Sequence, residues 1–464
     1  LFEMANIRDQ NSWVHMNEPA EATEKAKDLM RMAVAKAQFL KPLKPGQLGV
    51  NHNALVIGGG LAGITAALSL ADQGFESYIV EKEKQLGGNY ARLYYTLEGL
   101  DTQKHLAKLL EKVTANPKIH VITGAEIKKI DGFIGNYKTT VTAGGQEQQF
   151  SHGVVLVATG AYELETKEYG YGTSEAIVAQ RDLEKMIHDK DYKVGAARNV
   201  VMIQCVGSRN FERPYCSRYC CSEAIKNALK LKELDPEKDV TILYRDIRTY
   251  GLKEDFYKKA RELNVKFVRF DEERKPEVKV DGGKVTVSVF DPVMNEPVDL
   301  RADILALSVG TVPNPDNVAT GMMLKVPTNQ DGFFLEAHVK LRPVDFATDG
   351  VFMCGMSHAP KMSEETIAQA NAAVSRACTI LTKDFIESEG KTAYVNKERC
   401  MACGLCEANC PYGAVAVDLA EGAAVVNTVL CKGCGVCTAS CRMNAIDLNG
   451  FNNEEVLAQI SSAI

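Results

Sequence analysis

Eight cysteines near the C-terminus fall in two matching runs, Cys400-x2-Cys403-x2-Cys406-x3-Cys410 and Cys431-x2-Cys434-x2-Cys437-x3-Cys441. Thiolates at this spacing hold four-iron clusters. The reason is geometric. A cubane needs a thiolate at each of four irons, and a tight loop with two-residue gaps can supply three. The fourth comes from the other run. One cluster is therefore expected on Cys400, Cys403, Cys406 and Cys441, and a second on Cys431, Cys434, Cys437 and Cys410. Gly404, Gly433 and Gly435 let the backbone approach the inorganic core and turn amides toward sulfur. Pro411 follows the first run, whereas Arg442 follows the second without removing a ligand. Zinc needs one four-ligand set and gives no reason for two such runs. Disulfides do not suit a chain without secretory context.

A second chemistry is written in glycine. Ala54 to Ile57 reads as a buried parallel strand, followed at once by Gly58-x-Gly60-x-x-Gly63 and a helix over Ile64 to Gln73. A further strand, Ser77 to Val80, ends at Glu81. This is the complete dinucleotide fingerprint. Gly58 makes the turn, Gly60 admits the pyrophosphate, Gly63 allows helix–strand packing, and Glu81 is placed to bond the ribose. The helix N-terminus supplies positive potential for phosphate. Lys82, Gly87 and Gly88 join the set of expected cofactor contacts, the glycine pair resembling one found in FAD-dependent reductases. Val154 to Gly160 ends in the turn Ala158-Thr159-Gly160, which brings Thr159 and Gly160 back to the nucleotide. Asp349 to Gly355 resembles a late flavin motif with Gly355 as its contact, although Met356 stands where Asp is usual. This late motif favours FAD over NAD.

A second nucleotide unit is expected inside the first. Its strands read as Asn199 to Gln204, Val240 to Tyr244 and Ile304 to Gly310, the last bringing Gly310 toward the cofactor. No phosphate loop follows the first of them. Four cysteines stand there instead, Cys205, Cys216, Cys220 and Cys221, before a helix over Ser222 to Glu233. Arg209, Arg213 and Arg218 add positive charge, and a helix N-terminus favours thiolate as it favours phosphate. A third four-iron cluster on these four cysteines is inferred. A redox-active Cys220/Cys221 pair, zinc and plain core cysteines are its rivals. Pyridine nucleotide is not expected here.

The remaining residues set bounds. The chain has 464 residues, 45% apolar and 25% charged, as in soluble globular proteins of several domains. Its net charge of −6 speaks against nucleic acid. Fourteen cysteines, most at cluster spacing, point to a reducing cytoplasm. No leader is visible, and a start at Leu1 reads as a fragment. The longest apolar run, Ala54 to Ala71, is broken by glycines, so no direct membrane insertion is expected. Glu18 to Leu40 has helical apolar spacing, with Asn17 able to cap it and Pro19 suited to its first turn. Lys41 to Gly49 reads as a linker and Glu454 to Ile464 as a terminal helix. Lys361, after the late flavin motif, is a candidate for tuning the flavin by charge. Cys354 and Cys378 are expected to pack rather than ligate. Residues 391–450 carry five basic and five acidic side chains, which suits a relay held against a fixed partner surface.

Together these residues resemble the flavoprotein (A) subunit of heterodisulfide reductase over nearly the whole chain. The resemblance is carried by Leu1-Phe2-Glu3-Met4-Ala5-Asn6-Ile7-Arg8, Ser12-Trp13-Val14-His15, Gln204-Cys205-Val206-Gly207-Ser208-Arg209 and the doubled Cys220-Cys221. It implies an α/β fold: a thioredoxin-reductase-like two-Rossmann flavoprotein followed by an α+β bacterial-type ferredoxin domain with two clusters. It also implies non-covalent FAD, no NAD site and the third cluster. The partners implied are the disulfide-reducing subunits, a hydrogenase or formate dehydrogenase donor, ferredoxin, and a second copy of the chain within the complex. In that family FAD is proposed to bifurcate electrons, one downhill toward the disulfide and one uphill to ferredoxin. Two departures stand out: a further N-terminal cysteine-containing domain is missing, and Asn11 occupies a place where cysteine is expected. A non-bifurcating relay of a quinone-linked sulfur-metabolism complex and a flavin disulfide reductase using Cys220/Cys221 are the alternatives. A scaffold with vestigial clusters is opposed by the intact flavin fingerprint. The expected domains are 1–52 (helical segment and linker), 53–160 and 308–390 (FAD-binding), 161–307 (inserted), 391–450 (ferredoxin) and 451–464 (tail helix).

Overall fold

The computed structural model describes residues 2–43, 45–387 and 390–463. Leu1 of the opening motif, Lys44 of the expected linker and Ile464 of the expected terminal helix lie outside the described residues. The chain forms two compact units, Val50–Lys383 and a second made from Leu1–Gly49 with Asp384–Ile464.

The first unit contains two parallel sheets. Its labelled elements are β1 (Ala54–Ile57), α1 (Leu61–Asp72), β2 (Ser77–Val80), β3 (Ile119–Ile122), β4 (Val154–Val157), β5 (Ile177–Ala179), α2 (Gln180–His188), β6 (Asn199–Val206), α3 (Cys220–Leu234), β7 (Asp239–Tyr244), β8 (Lys266–Arg269), β9 (Ile304–Val309), β10 (Val351–Met353) and α4 (Ser363–Leu381). The first sheet has the order β10-β4-β1-β2-β3 and the second β5-β9-β6-β7-β8, all pairs parallel. Their central strands are continuous apolar runs buried on both faces, as parallel sheets flanked by helices require. Helix α1 meets α4 through small residues, Ala66 and Ala67 on one, Ala370, Ala373 and Ala377 on the other, so the two backbones can lie close. A short antiparallel pair, Ala161–Glu163 with Thr311–Pro313, joins the outgoing and returning connections between the sheets.

Three boundaries differ from the sequence expectation, each for a local reason. Helix α1 starts at Leu61 rather than Ile64, because Gly60 in extended conformation acts as its N-cap. Helix α3 starts at Cys220 rather than Ser222, so both adjacent cysteines lie in its first turn. Strand β6 runs past Gln204 to Val206, with its pairing to β9 slipping between Ile203 and Val206.

His152 makes a testable contribution to this unit's stability. It is fully buried, donates from Nδ1 to the Val154 carbonyl and accepts from Thr139 at Nε2. Burial holds its pKa down at about 4, against an ordinary 6.5. Below pH 6.5 the unfolded chain takes up a proton that the folded chain refuses until about pH 4. Stability present above pH 6.5 is therefore lost across that window, by about 3 kcal/mol in all. Urea denaturation at pH 7.5 and 5 should show a larger loss for wild type than for His152→Gln. Equal losses would exclude His152 as the cause.

The second unit is built around a repeated pattern. Ala393–Val395 pairs antiparallel with Ile446–Leu448, and Val415–Asp418 with Ala423–Val426. A short helix, Leu405–Ala408, follows one cysteine loop, and Val436–Ser440 follows the other. Helices Pro19–Ala37 and Asn453–Ala463 pack on each other. Pro19 opens the first of these, preceded by Glu18, and no side chain caps it, so Asn17 does not serve as its cap. The segment expected as a linker contains a strand, Gln47–Gly49, paired with Phe385–Glu387. Lys36 is buried through an ion pair to Glu3 at 3.0 Å and lies 4.1 Å over the Phe451 ring. Asn11 is buried too, its side-chain amide donating to the Ala22 carbonyl at 2.9 Å. Among the described residues no helix is long and apolar enough to cross a membrane.

Candidate iron–sulfur and flavin sites

The repeated unit encloses two cavities. One, of about 360 Å³, is lined by Cys400, Cys403, Cys406 and Cys441. The other, of about 310 Å³, is lined by Cys431, Cys434, Cys437 and Cys410. Each cavity thus takes three cysteines from one run and the fourth from the other. Backbone amides are aimed at sulfur in matched pairs: Ala424 to Cys400 and Ala393 to Cys431, Ala414 to Cys410 and Ala445 to Cys441, all at 3.3 Å. Such donors lower the cost of charge on the sulfurs. The loops also repeat in backbone. Ala402 has φ +50° and Gly433, its counterpart, +61°. Glycine is required only in the second loop, where a Cβ would lie 2.3 Å from the Lys391 carbonyl oxygen.

Sulfur spacing distinguishes a cluster from a single ion. A tetrahedral zinc with Zn–S bonds near 2.3 Å holds its sulfurs about 3.8 Å apart. Among the described residues, the only group of potential ligands with all its atoms within 4.8 Å of one another is His15, Glu18 and Glu21, so no three cysteines meet that condition. The donor sets fit four-iron clusters.

The four remaining expected ligands surround the end of β6 and the start of α3. Cys205 has φ +61°, an uncommon conformation for a side-chain-bearing residue, and sits within the slip in β6. Cys220 and Cys221 are buried, while Cys216 is half-buried and accepts the Arg218 amide at 3.3 Å. Arg209 reaches Cys205 at 3.7 Å and holds Asp246 at 2.6 Å. The thiols feel one another. Burial pushes Cys205 up, as do its neighbours Cys221 and Cys216. A hydrogen bond from Cys220 brings Cys221 down to about 7, with the Arg248 amide and the charges of Arg209 and Arg248 acting in the same direction.

The glycine-rich pieces converge on one cradle. Gly58, at φ +105°, approaches the Ala158-Thr159-Gly160 turn so closely that a Cβ would lie 2.4 Å from the Ala158 carbonyl oxygen. Gly63 backs onto Gly58, while a Cβ on Gly60 or Gly160 would meet nothing within 4 Å. Gly87 and Gly88 pack on the same loop, the Gly87 amide donating to Gly59 at 2.8 Å and Gly88 facing Gly60. Gly355 meets Ala62 of the first turn of α1. This open-fronted loop at a helix N-terminus fits a dinucleotide pyrophosphate. Glu81 accepts from the Gly59 amide at 2.5 Å and from the Glu83 amide at 2.8 Å, so it braces the loop. Lys82 is exposed and paired with Asp316 at 2.6 Å. Thr159 is bonded to Asn317, and its carbonyl accepts from Asn314. Gly310 lies against Gly207 of the cysteine loop.

Lys361 is brought to this cradle. It is buried, and its ammonium donates to the Gly355 carbonyl at 2.9 Å. Burial, with the Arg218 charge assisting, lowers its pKa to about 8. His358 is satisfied by Glu336 and Gln369. Cys354 is fully buried and its thiol is pushed up to about 12 by that burial, as suits packing. Sequence reasoning missed Asn89 and Arg181. Asn89, next to Gly88, donates to the Ala161 carbonyl at 2.7 Å and accepts from Arg181 at 3.2 Å, and Arg181 pairs with Glu163. Their separation of 92 residues left no pattern to find.

The chain is 35% identical to the flavoprotein (A) subunit of H(2):CoB-CoM heterodisulfide,ferredoxin reductase from Methanothermobacter thermautotrophicus, an alignment covering all of this chain and 84% of the relative. It is 33% identical to the corresponding (A) subunit of ferredoxin:CoB-CoM heterodisulfide reductase from Methanosarcina mazei, covering all of this chain and 70% of that one. The chain belongs to the family of heterodisulfide reductase flavoprotein (A) subunits. It is an oxidoreductase subunit, an iron–sulfur flavoprotein of the electron-transfer kind. The alignment to the first relative runs over 559 positions, so that relative carries segments without a counterpart in these 464 residues. Residues 52–201 match the pyridine nucleotide-disulphide oxidoreductase family and residues 393–416 the 4Fe-4S binding domain. The fold resembles Lactococcus lactis thioredoxin reductase, with a TM-score of 0.50 at 17% identity over 71% of this chain and 99% of that one.

Proposed function

We propose that this protein binds one FAD and three four-iron clusters and bifurcates electrons within a heterodisulfide-reductase-like complex. The observation that carries this is the replacement of a phosphate loop by four mutually interacting cysteines, in the same unit as an open flavin cradle. A pyridine nucleotide has no loop to bind there, so electrons enter and leave as single charges through thiolate-held iron. FAD supplies the conversion between two-electron and one-electron steps. Gly58, Gly60 and Gly63 admit its pyrophosphate, Glu81 fixes their loop, and Lys361 places a positive charge beside Gly355. Cys400, Cys403, Cys406 and Cys441, and Cys410, Cys431, Cys434 and Cys437, hold the two ferredoxin-type clusters. Cys205, Cys216, Cys220 and Cys221 hold the third. The partners are a hydrogenase or formate dehydrogenase donor, ferredoxin and disulfide-reducing subunits, with two copies of this chain per complex. Relatives named for hydrogen, formate, ferredoxin and the CoB-CoM heterodisulfide support this set. The setting is cytoplasmic.

Iron, acid-labile sulfide and FAD counted on anaerobically purified protein test the cofactor content. About 12 irons and one FAD per chain are expected, falling to about eight irons with FAD retained in Cys220→Ser/Cys221→Ser. Wild-type protein with about eight irons and thiol–disulfide activity lost in that double variant would make Cys220/Cys221 a dithiol instead. With 12 irons in place, reduction of ferredoxin coupled to disulfide reduction tests bifurcation.

A further inference from the structure

We propose that Arg218 is a positioning residue that locks the Cys216 loop onto the flavin turn, and so fixes how the third cluster and the flavin sit relative to each other. It rests on the third cluster and the FAD proposed above.

Arg218 holds two regions at once. Its backbone amide donates to Cys216 Sγ at 3.3 Å. Its guanidinium donates to the Pro360 carbonyl at 3.3 Å, to the Tyr250 hydroxyl at 2.8 Å and to Glu365 Oε1 at 2.5 Å. Pro360 directly precedes Lys361, whose ammonium is bonded to Gly355. Glu365 accepts the Met362 amide at 3.0 Å through its other oxygen, capping α4 where that helix leaves the flavin turn. One side chain thus ties the cysteine loop, the loop after β7 and the cap of the flavin-side helix.

Two observations set this apart from an ordinary surface ion pair. Arg218 has φ +62°, a left-handed conformation that a long side chain seldom adopts. An exposed pair would need no such backbone, whereas here it lets the amide face sulfur while the guanidinium faces the flavin turn. Arg218 also lies on the wall of a cavity of about 640 Å³, together with Cys216, Tyr250 and Pro360. Beside open space, few other contacts hold the loop to the turn. Lysine cannot replace the fork, because it offers a single point charge rather than planar donors aimed at three acceptors.

The test uses holoprotein with Arg218→Lys, Arg218→Gln and, from the other side of the strut, Glu365→Gln, which can still cap α4. Iron and FAD per chain should stay at wild-type values. Electron transfer from reduced flavin to the third cluster, followed by stopped-flow absorbance, should slow by about tenfold or more in all three. The cluster's EPR signal should shift in both Arg218 variants. The flavin midpoint potential should fall in Arg218→Gln, which loses a positive charge, and hold in Arg218→Lys. Transfer within about twofold of wild type in all three variants, at full iron content, would overturn the positioning role alone. Wild-type protein with about eight irons would instead overturn the cluster, and Arg218's role with it.

Discussion

Cys441→Ser protein loses the cluster built on the first cysteine run and keeps the one built on its own. Reading along the chain would predict the opposite, since Cys441 closes the run that starts at Cys431. The cavities decide the matter. Cys441 lines the space with Cys400, Cys403 and Cys406, and Cys410 lines the space with Cys431, Cys434 and Cys437. The cause is the short helix within each run. Leu405–Ala408 lifts the chain out of the first loop before Cys410, and Val436–Ser440 does the same before Cys441. Each last cysteine is thereby delivered to the opposite cavity, where the following turn aims an amide at its sulfur. Each single variant should lose about four irons per chain, half of the ferredoxin-type content. Cys410→Ser and Cys431→Ser should leave the same residual EPR spectrum, and Cys441→Ser and Cys400→Ser should share the other. If Cys441→Ser matched Cys431→Ser, the crossed ligand sets would be wrong. Rates of electron exchange with an external carrier would then show which cluster faces it.

Much of this arrangement was legible because its determinants are local. Strands β1 and β2 fall at the expected residues, since an apolar run ended by glycine or by an acidic residue has few other solutions. The crossed cysteine sets follow from spacing, and the cavities reproduce them. What was not legible depends on contacts across the fold. The slip in β6 that turns Cys205 into a left-handed conformation leaves no mark in Gln204-Cys205-Val206. Arg218 could be read as positive charge near cysteine, but its contacts with Pro360 and Glu365 span more than 140 residues. The strand at Gln47–Gly49 was hidden for a similar reason, because a three-residue strand with Pro45 and Gly46 before it gains its identity only from a partner near residue 386. Gly310 shows the converse. Its type was informative, but its close approach is to Gly207, a pairing set by the sheet.

Gly63→Ala should destabilise the flavin unit and abolish flavin retention, whereas Gly60→Ala should abolish retention alone. The two glycines are three residues apart and share one motif, yet they do different work. A Cβ on Gly63 would lie 1.9 Å from the Gly58 carbonyl oxygen and 3.3 Å from Val56 Cγ1. The obstruction is backbone, which cannot rotate away as a side-chain tip could. Helix α1 would have to move off β1, and α1 is itself wedged against the small-residue face of α4. Overpacking of this sort costs about 1–3 kcal/mol when neighbours can yield, and these cannot, so the upper end is expected. Against a total stability of about 5–15 kcal/mol, that is a large fraction. A Cβ on Gly60 would meet nothing within 4 Å, because it projects into the open front of the loop. There it costs the fold little but occupies the space that the pyrophosphate needs. Urea denaturation of flavin-stripped protein separates the two effects, and FAD per chain after gel filtration reads retention. Gly60→Ala should unfold with wild type and emerge without FAD, while Gly63→Ala should unfold at lower urea. If Gly60→Ala held FAD at the wild-type level, the open front of the loop would not be where the nucleotide lies. If Gly63→Ala unfolded with wild type, helix and strand would have more freedom than a 1.9 Å approach allows.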